Sequence, residues 1–445
     1  SALVQNGPAP QVYALDFAGR GLAMLEPLPN VGAVVSGDEH ERVVRLFRTI
    51  QDEIESRAIR FAQVRAGTLS EYRRDPGGDP DLPRIILMID SFGGFSDAFD
   101  RIEAGKWLDL VPRLLSDGRQ VGVHLVMTGN RRSTFPMAIA GSVPRHLVQR
   151  LANEDEYTSA GVPKNMLTST SPPGRGSLDE LEVQFAVLGG RPDGDAQATA
   201  VDQLAELLRR NDAVEAPPIG VLPEELNLDS LPAGTDSTAS VVFGMADATL
   251  GPTDVPIDSH LMISGPRQSG RSTTLATLAN RIHDLGHADM HFVSARAVSL
   301  GGASWWNNVG MGEEDAANII RDLTTEFEIE PPPRPQYLFI DDLTELLETD
   351  ADFAMVDLMR LARSHPIYVI AATESAVARR AYGNAIPDLR DNKRGILLAP
   401  DPDFDGDLLG VVLPRTGPPV WPPGRGYVVN RGAFGLVQVA FPDHL

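Results

Sequence analysis

Nine consecutive residues, Gly265-Pro266-Arg267-Gln268-Ser269-Gly270-Arg271-Ser272-Thr273, carry the plainest chemistry in the chain. Glycine, four residues, glycine, a basic residue and serine form the P-loop pattern, in which backbone N–H groups wrap phosphate oxygens. An apolar run, Leu261-Met262-Ile263-Ser264, leads into it and a helix-like segment over 272–285 leads out, the strand–loop–helix setting such a loop requires. The basic position holds Arg271 where lysine is usual. A guanidinium keeps the charge but is planar, bulkier and more directional than an ammonium. The loop is therefore expected to hold a nucleotide while hydrolysing it poorly. The chain hardly uses lysine elsewhere (Lys106, Lys164 and Lys393 only), so a general arginine bias explains part of the exchange.

A phosphate loop needs a metal-holding acid at the end of a neighbouring buried strand. Asp341 closes the run Tyr337-Leu338-Phe339-Ile340 and fits that role, with Ser272 as the matching Mg2+ ligand on the loop. The next position, where a water-activating glutamate commonly stands, is Asp342, one methylene shorter. Thr373 ends the following strand, where a hydroxyl senses the terminal phosphate or simply closes the strand. Arg360 and Arg113 lie on helices after the acid strands. They stand where arginine fingers reach a neighbouring domain, although such arginines are more often solvated or paired with acids. The pair Trp305-Trp306 is either a partner anchor or, by default, two aromatics folded onto a sheet edge.

These residues sit in a chain that repeats itself at a spacing of about 250 residues, the scale of a duplicated domain. Pro172-Pro173-Gly174-Arg175-Gly176 recurs as Pro422-Pro423-Gly424-Arg425-Gly426, each before a strand-like run at 183–188 or 437–441. Ile85-Ile86-Leu87-Met88-Ile89-Asp90 corresponds to Tyr337-Leu338-Phe339-Ile340-Asp341, and Leu125-Val126-Met127-Thr128 to Ile370-Ala371-Ala372-Thr373. Leu151-Ala152-Asn153-Glu154-Asp155 pairs with Leu398-Ala399-Pro400-Asp401-Pro402. The order is the same in both copies, so the first-copy site residues are Asp90, Ser91 and Thr128. Ser91 cannot act as a base at neutral pH. The P-loop of the first copy is expected upstream of Ser1, making the chain a fragment of a longer protein.

Apolar strands alternating with helical segments at 39–59 and 313–327 give an α/β class, with a mostly parallel sheet flanked by helices in each copy. The domains expected are 1–190, lacking its N-terminal strand and P-loop; a linker over 191–234; and a complete domain over 235–445 with a degenerate loop. The linker holds an amphipathic helix at 198–210 and is either a connector that covers part of the second domain or a solvated linker. No cysteine occurs, so disulfides and thiolate metal sites are excluded. The nine histidines show no metal-ligand spacing. A formal net charge of −22 argues against tracking a nucleic-acid backbone, which needs a basic face.

The stretch Gly122-Val123-His124-Leu125-Val126-Met127-Thr128-Gly129-Asn130-Arg131, together with the Pro-Gly-Arg-Gly loops, resembles the FtsK/SpoIIIE class of RecA-like motor ATPases. Tandem copies with degenerate sites are similar to the EccC group of type VII (ESX) secretion ATPases. The resemblance runs from about residue 12 to 441. It implies tandem RecA-like P-loop NTPase domains, the second ATPase domain in part and the third complete. ATP and Mg2+ are the implied cofactors, bound through 265–273, Ser272 and Asp341, with weak or no hydrolysis at the visible sites. It implies a place at the cytoplasmic face of the plasma membrane, anchored by segments absent from this chain, with a hexamer formed through the upstream part. The implied partners are other subunits of a membrane secretion complex and the C-terminal signal segments of small helical secreted proteins. An FtsK-like DNA translocase is the alternative, which the acidic balance disfavours.

Overall fold

Strands rich in Val, Ile and Leu form where β-branched side chains fit a pleated, covered surface. In the computed structural model, residues 10–153, 155–233, 239–382, 385–415 and 420–443 are described. They form two units dividing between Gly220 and Val221. In the first, β1 (Gln11–Asp16), β2 (Val31–Ser36), β3 (Ile85–Asp90) and β4 (Val123–Met127) make a parallel sheet ordered β2-β1-β3-β4. The helices His40–Gln63 and Lys106–Val121 lay Phe47, Ile50, Trp107 and Val111 on one face, against Leu15, Leu87 and Ile89. Along β3 buried and half-buried residues alternate, so the opposite face is incompletely covered, and Val126 on β4 is 48% exposed. A separate antiparallel sheet follows, made of β5 (Leu147–Val148), β6 (Arg175–Leu178) and β7 (Leu181–Gln184).

The second unit is built on one ten-stranded sheet. Its strands are β8 (Ser240–Ala246), β9 (Gly251–Pro256), β10 (Leu261–Gly265), β11 (Asp289–Ser294), β12 (Asn308–Met311), β13 (Gln336–Ile340), β14 (Ile367–Glu374), β15 (Arg394–Leu398), β16 (Arg425–Asn430) and β17 (Ala433–Val439). The order is β12-β11-β13-β14-β10-β15-β16-β17-β8-β9, parallel as far as β15 and antiparallel beyond it. The expected mostly parallel sheet therefore carries an antiparallel extension. Helix Arg271–Leu285 covers one face, burying Leu275, Leu278 and Ile282 against Phe243, Phe292 and Phe339. Helices Glu313–Ile329 and Asp350–Leu361 cover the other, against Leu338 and Ile340. Every residue of β13 is buried as a result.

The duplication is visible in the pairing. β1 lies between β2 and β3 as β11 lies between β12 and β13, and β4 follows β3 as β14 follows β13. Among the described residues the first unit has no counterpart of β10 or of helix Arg271–Leu285. One sequence correspondence is offset: Leu398 ends β15, whereas Leu151 lies beyond β5, and Glu154 is outside the described residues. The linker helix, Gly194–Arg210, starts at Asp193, whose carboxylate accepts the Ala196 N–H at 2.8 Å. Its Val201 and Ala205 pack on Leu25 and Leu28 of the first unit. Leu226, Leu228 and Leu231 do pack on the second, against Val242 and Ala440. The boundary expected at 234/235 lies outside the described residues. No helix among the described residues is long and apolar enough to cross a membrane.

Candidate nucleotide-binding site

β10, buried along its whole length between β14 and β15, delivers Gly265 to the C-terminal edge of the parallel strands, the edge where open α/β sheets bind ligands. The loop closes too tightly for side chains at its glycines. A Cβ on Gly265 would stand 2.4 Å from Ser269 Oγ and 2.9 Å from the Leu398 carbonyl oxygen. Gly270 has φ of +96°, and a Cβ there would stand 2.8 Å from the Gly424 nitrogen. From Gly270 the helix begins at Arg271, so its first N–H groups face the loop's concavity with the positive end of the helix dipole. The Gly424 N–H donates to the Ser269 carbonyl at 2.8 Å. The Pro-Pro-Gly-Arg-Gly turn thus clasps the phosphate loop from outside, a contact that residue order alone does not reveal.

The acids follow β13. Ser272 Oγ donates to Asp341 Oδ1 at 2.9 Å, bringing together the two expected metal ligands. Burial pushes the Asp341 carboxyl above the ordinary range, the Ser272 hydrogen bond opposes this, and the neighbouring Asp342 charge adds to it. A buried carboxylate that takes up a proton readily is one that a bound cation would relieve. The glycine cradle, the serine and this acid together fit a magnesium–nucleotide complex. Asp342 is differently placed. Arg271 Nη1 donates to its Oδ2 at 2.7 Å, with the two side chains only 14% and 8% exposed. Its other oxygen accepts from the Thr344 hydroxyl and the Thr344 N–H. Both departures from the usual motif are therefore partners of each other, a longer cation meeting a shorter acid.

The remaining expected residues disperse. Thr373 is fully buried and its hydroxyl donates to the Ile263 carbonyl at 3.3 Å, within the sheet. The strand continues one residue further, so Glu374, which no sequence motif singles out, lies opposite Gly265. Arg360 is exposed and pairs with Asp357 of its own helix at 3.0 Å, and Arg113 is exposed. Trp306 is buried on Phe292 and Phe339 and donates to the Leu300 carbonyl, while Trp305 stacks on His283. The tryptophan pair is folded onto the sheet.

In the first unit Thr128 Oγ1 donates to Asp90 Oδ1 at 2.5 Å and accepts the Ser91 N–H at 2.8 Å. Ser91, at φ of +62°, caps the helix Phe92–Phe99 by accepting the Gly94 N–H. The two threonines are not equivalent in register. Ile89 faces Met127, which sets Thr128 beside Asp90, whereas Ile340 faces Ala371, which leaves Thr373 one residue beyond the level of Asp341.

No family model matches the chain. The ESX secretion system protein EccC of Thermomonospora curvata is 26% identical over 99% of this chain and 35% of that protein. The ESX-4 secretion system protein EccC4 of Mycobacterium tuberculosis is 26% identical over 97% of this chain and 36% of that protein. The chain thus spans about a third of the length of these curated relatives. Among solved structures, ATPases 2 and 3 of T. curvata EccC, in complex with a signal sequence peptide, superpose with a TM-score of 0.75 at 22% identity, covering 99% of this chain and 84% of that one. ATPases 2 and 3 of EssC from Geobacillus thermodenitrificans superpose with a TM-score of 0.69 at 16% identity, covering 98% and 85%. By sequence and by fold, the chain is strongly similar to EccC and EssC, the FtsK/SpoIIIE-type ATPases of type VII secretion, and its fold is that of tandem RecA-like P-loop domains.

Proposed function

We propose that this chain holds the nucleotide-binding and substrate-recognising domains of a type VII secretion ATPase, and that its second-unit site binds ATP with little turnover. One observation carries this reading: Ser272 and Asp341 stand together for a cation while Arg271 and Asp342 neutralise each other beside them. In this reading the loop 265–273 holds the phosphates through its N–H groups and Ser272 and Asp341 hold Mg2+, which supplies charge neutralisation at the phosphates. Asp342, with both oxygens engaged, is held away from water. A ligand at 100 times its dissociation constant stabilises a fold by about 2.7 kcal/mol, enough to set a domain's shape without hydrolysis.

The solved T. curvata relative carries a signal sequence peptide. That observation supports recognition here of C-terminal signal segments from small helical secreted proteins. The reading also places the chain at the cytoplasmic face of the plasma membrane, within a complex anchored and made hexameric through segments outside this chain. In this reading residues 1–190, 191–234 and 235–445 act as one ATPase-like domain, a linker and a second ATPase-like domain.

Purified chain should release ATP or ADP on denaturation and show slow steady-state phosphate release, and brisk turnover would overturn the reading. Asp341→Asn should weaken Mg2+-dependent ATP binding by about 100-fold. The same variant should raise the thermal stability of the nucleotide-free chain at neutral pH. Because burial raises the folded-state pKa of Asp341, the folded form binds the proton more tightly, and stability falls as pH rises from the ordinary carboxylate range through the raised value. The asparagine removes that fall. A melting curve for the variant that shows the wild-type pH dependence would contradict this account of Asp341.

A further inference from the structure

We propose that Glu374 is the carboxylate that activates water in the slow turnover of the second-unit site, a role that rests on nucleotide binding there. β14 pairs in parallel with β10, and Glu374 is the residue opposite Gly265, the first residue of the phosphate loop. Paired strands run about 5 Å apart, so the backbone of Glu374 borders the loop. Its side chain turns toward the loop as well: Oε2 stands 3.7 Å from Nε of Arg267, the loop's exposed arginine. Among the described residues no hydrogen bond engages this half-buried carboxylate. Its main chain is anchored, since the Glu374 N–H donates to Thr344 Oγ1 at 3.4 Å and the Thr344 hydroxyl in turn donates to Asp342. The strand end is therefore tied to the acid turn, while the carboxylate itself meets only the longer ion pair with Arg267.

The other acids at this edge are already engaged. Asp342 receives Arg271 on one oxygen and Thr344 on the other. Asp341 receives Ser272, and in the proposed site both belong to the cation. Glu345 pairs with Arg296 at 2.9 Å. Glu374, whose carboxylate meets only the exposed Arg267 at 3.7 Å among the described residues, is the acid whose position suits proton abstraction. In the step inferred, the oxygen of a water molecule forms a bond to the terminal phosphorus of ATP. The bond from that phosphorus to the bridging oxygen breaks, and ADP leaves with the electron pair. One water proton passes to the Glu374 carboxylate and from there to solvent, which reaches this side chain. The products are ADP and inorganic phosphate, with no other reactant. In the first unit the residues following β4 are Thr128, Gly129 and Asn130, with no acid in the corresponding place.

The test uses the full chain, with ATP affinity measured by calorimetry and cleavage measured in single turnovers with protein in excess. Glu374→Gln should keep the wild-type dissociation constant and slow cleavage by about 100-fold, the usual scale of a general base. Glu374→Asp should recover part of the rate, and Glu345→Gln should leave it unchanged. Cleavage by Glu374→Gln at the wild-type rate would overturn the assignment. So would a loss that tracks weakened binding, or an equal loss in Glu345→Gln. Wild-type protein that binds ATP but never cleaves it would overturn the role of Glu374 alone. Wild-type protein that does not bind ATP would overturn the reading beneath it.

Discussion

The hairpin after Pro172 and the hairpin after Pro422 are one object made twice, while the acids the two units present are not. Arg175 Nε donates to Gln184 Oε1 at 2.9 Å, and Arg425 Nε donates to Gln438 Oε1 at 2.9 Å. Gln184 Nε2 donates to the Pro173 carbonyl and Gln438 Nε2 to the Pro423 carbonyl. Gly174 and Gly424 turn with φ of +78° and +81°. All of these contacts close within one turn and two strands. At the acids, by contrast, Asp90 is engaged by Thr128 just beyond the next strand, and Asp341 by Ser272 in the first turn of a helix 69 residues away in sequence. Local chemistry has come through duplication intact, and chemistry assembled from distant segments has diverged. The two hairpins also differ in one outward contact. Arg425 is buried and donates to the Leu222 and Pro223 carbonyls, whereas Arg175 is half-exposed and pairs with Glu182.

The contrast can be broken at its strongest point first. Arg271→Ala leaves Asp342 buried without its cation and should lower the stability of the second unit by about 3 kcal/mol, seen as a shifted denaturant midpoint. Among the described residues no arginine pairs with Asp90 of the first unit, so a neutral result would dissolve the distinction between the two sites. Next, Arg425→Lys should cost about 2 kcal/mol, because a lysine cannot reach Gln438 and two buried carbonyls together. The matched Arg175→Lys should cost about 0.5 kcal/mol at its exposed pair. Equal losses would show that the shared hairpin geometry, not the contact to 222–223, holds the arginine. A smaller effect than those of the two second-unit variants belongs to Thr128→Val, which removes the hydroxyl between Asp90 and Ser91. It should cost about 1 kcal/mol and leave ATP affinity untouched, and altered affinity would make the first unit a participant in nucleotide binding.

Much of this was legible in residue order. The strand–loop–helix around Gly265, the strand ending at Asp341 and the paired hairpins follow from apolar runs, glycine spacing and repetition, which are properties of neighbours along the chain. Arg271 and Asp342 each stood out as a departure, but nothing in their separate positions stated that they meet. The co-occurrence of a longer cation with a shorter acid was the available signal. Nothing in the residue order sets Glu374 apart, because where β14 ends depends on its pairing with β10. Thr373 and Thr128 were matched by sequence and separated by one position of register, which only the pairing of strands reveals.

The sequence by itself determined which segments become strands and helices, that the architecture is duplicated, and that one phosphate loop keeps its glycines and its serine. Periodicity and local turn chemistry suffice for those. Tertiary structure decided which charges neutralise each other, which hydroxyl reaches which acid, and that β13 is covered fully on both faces while β3 is covered fully on one. Those outcomes depend on strands adjacent in space and remote in sequence. In a buried site such adjacency decides whether a carboxylate holds a cation, pairs with an arginine or stays free for water.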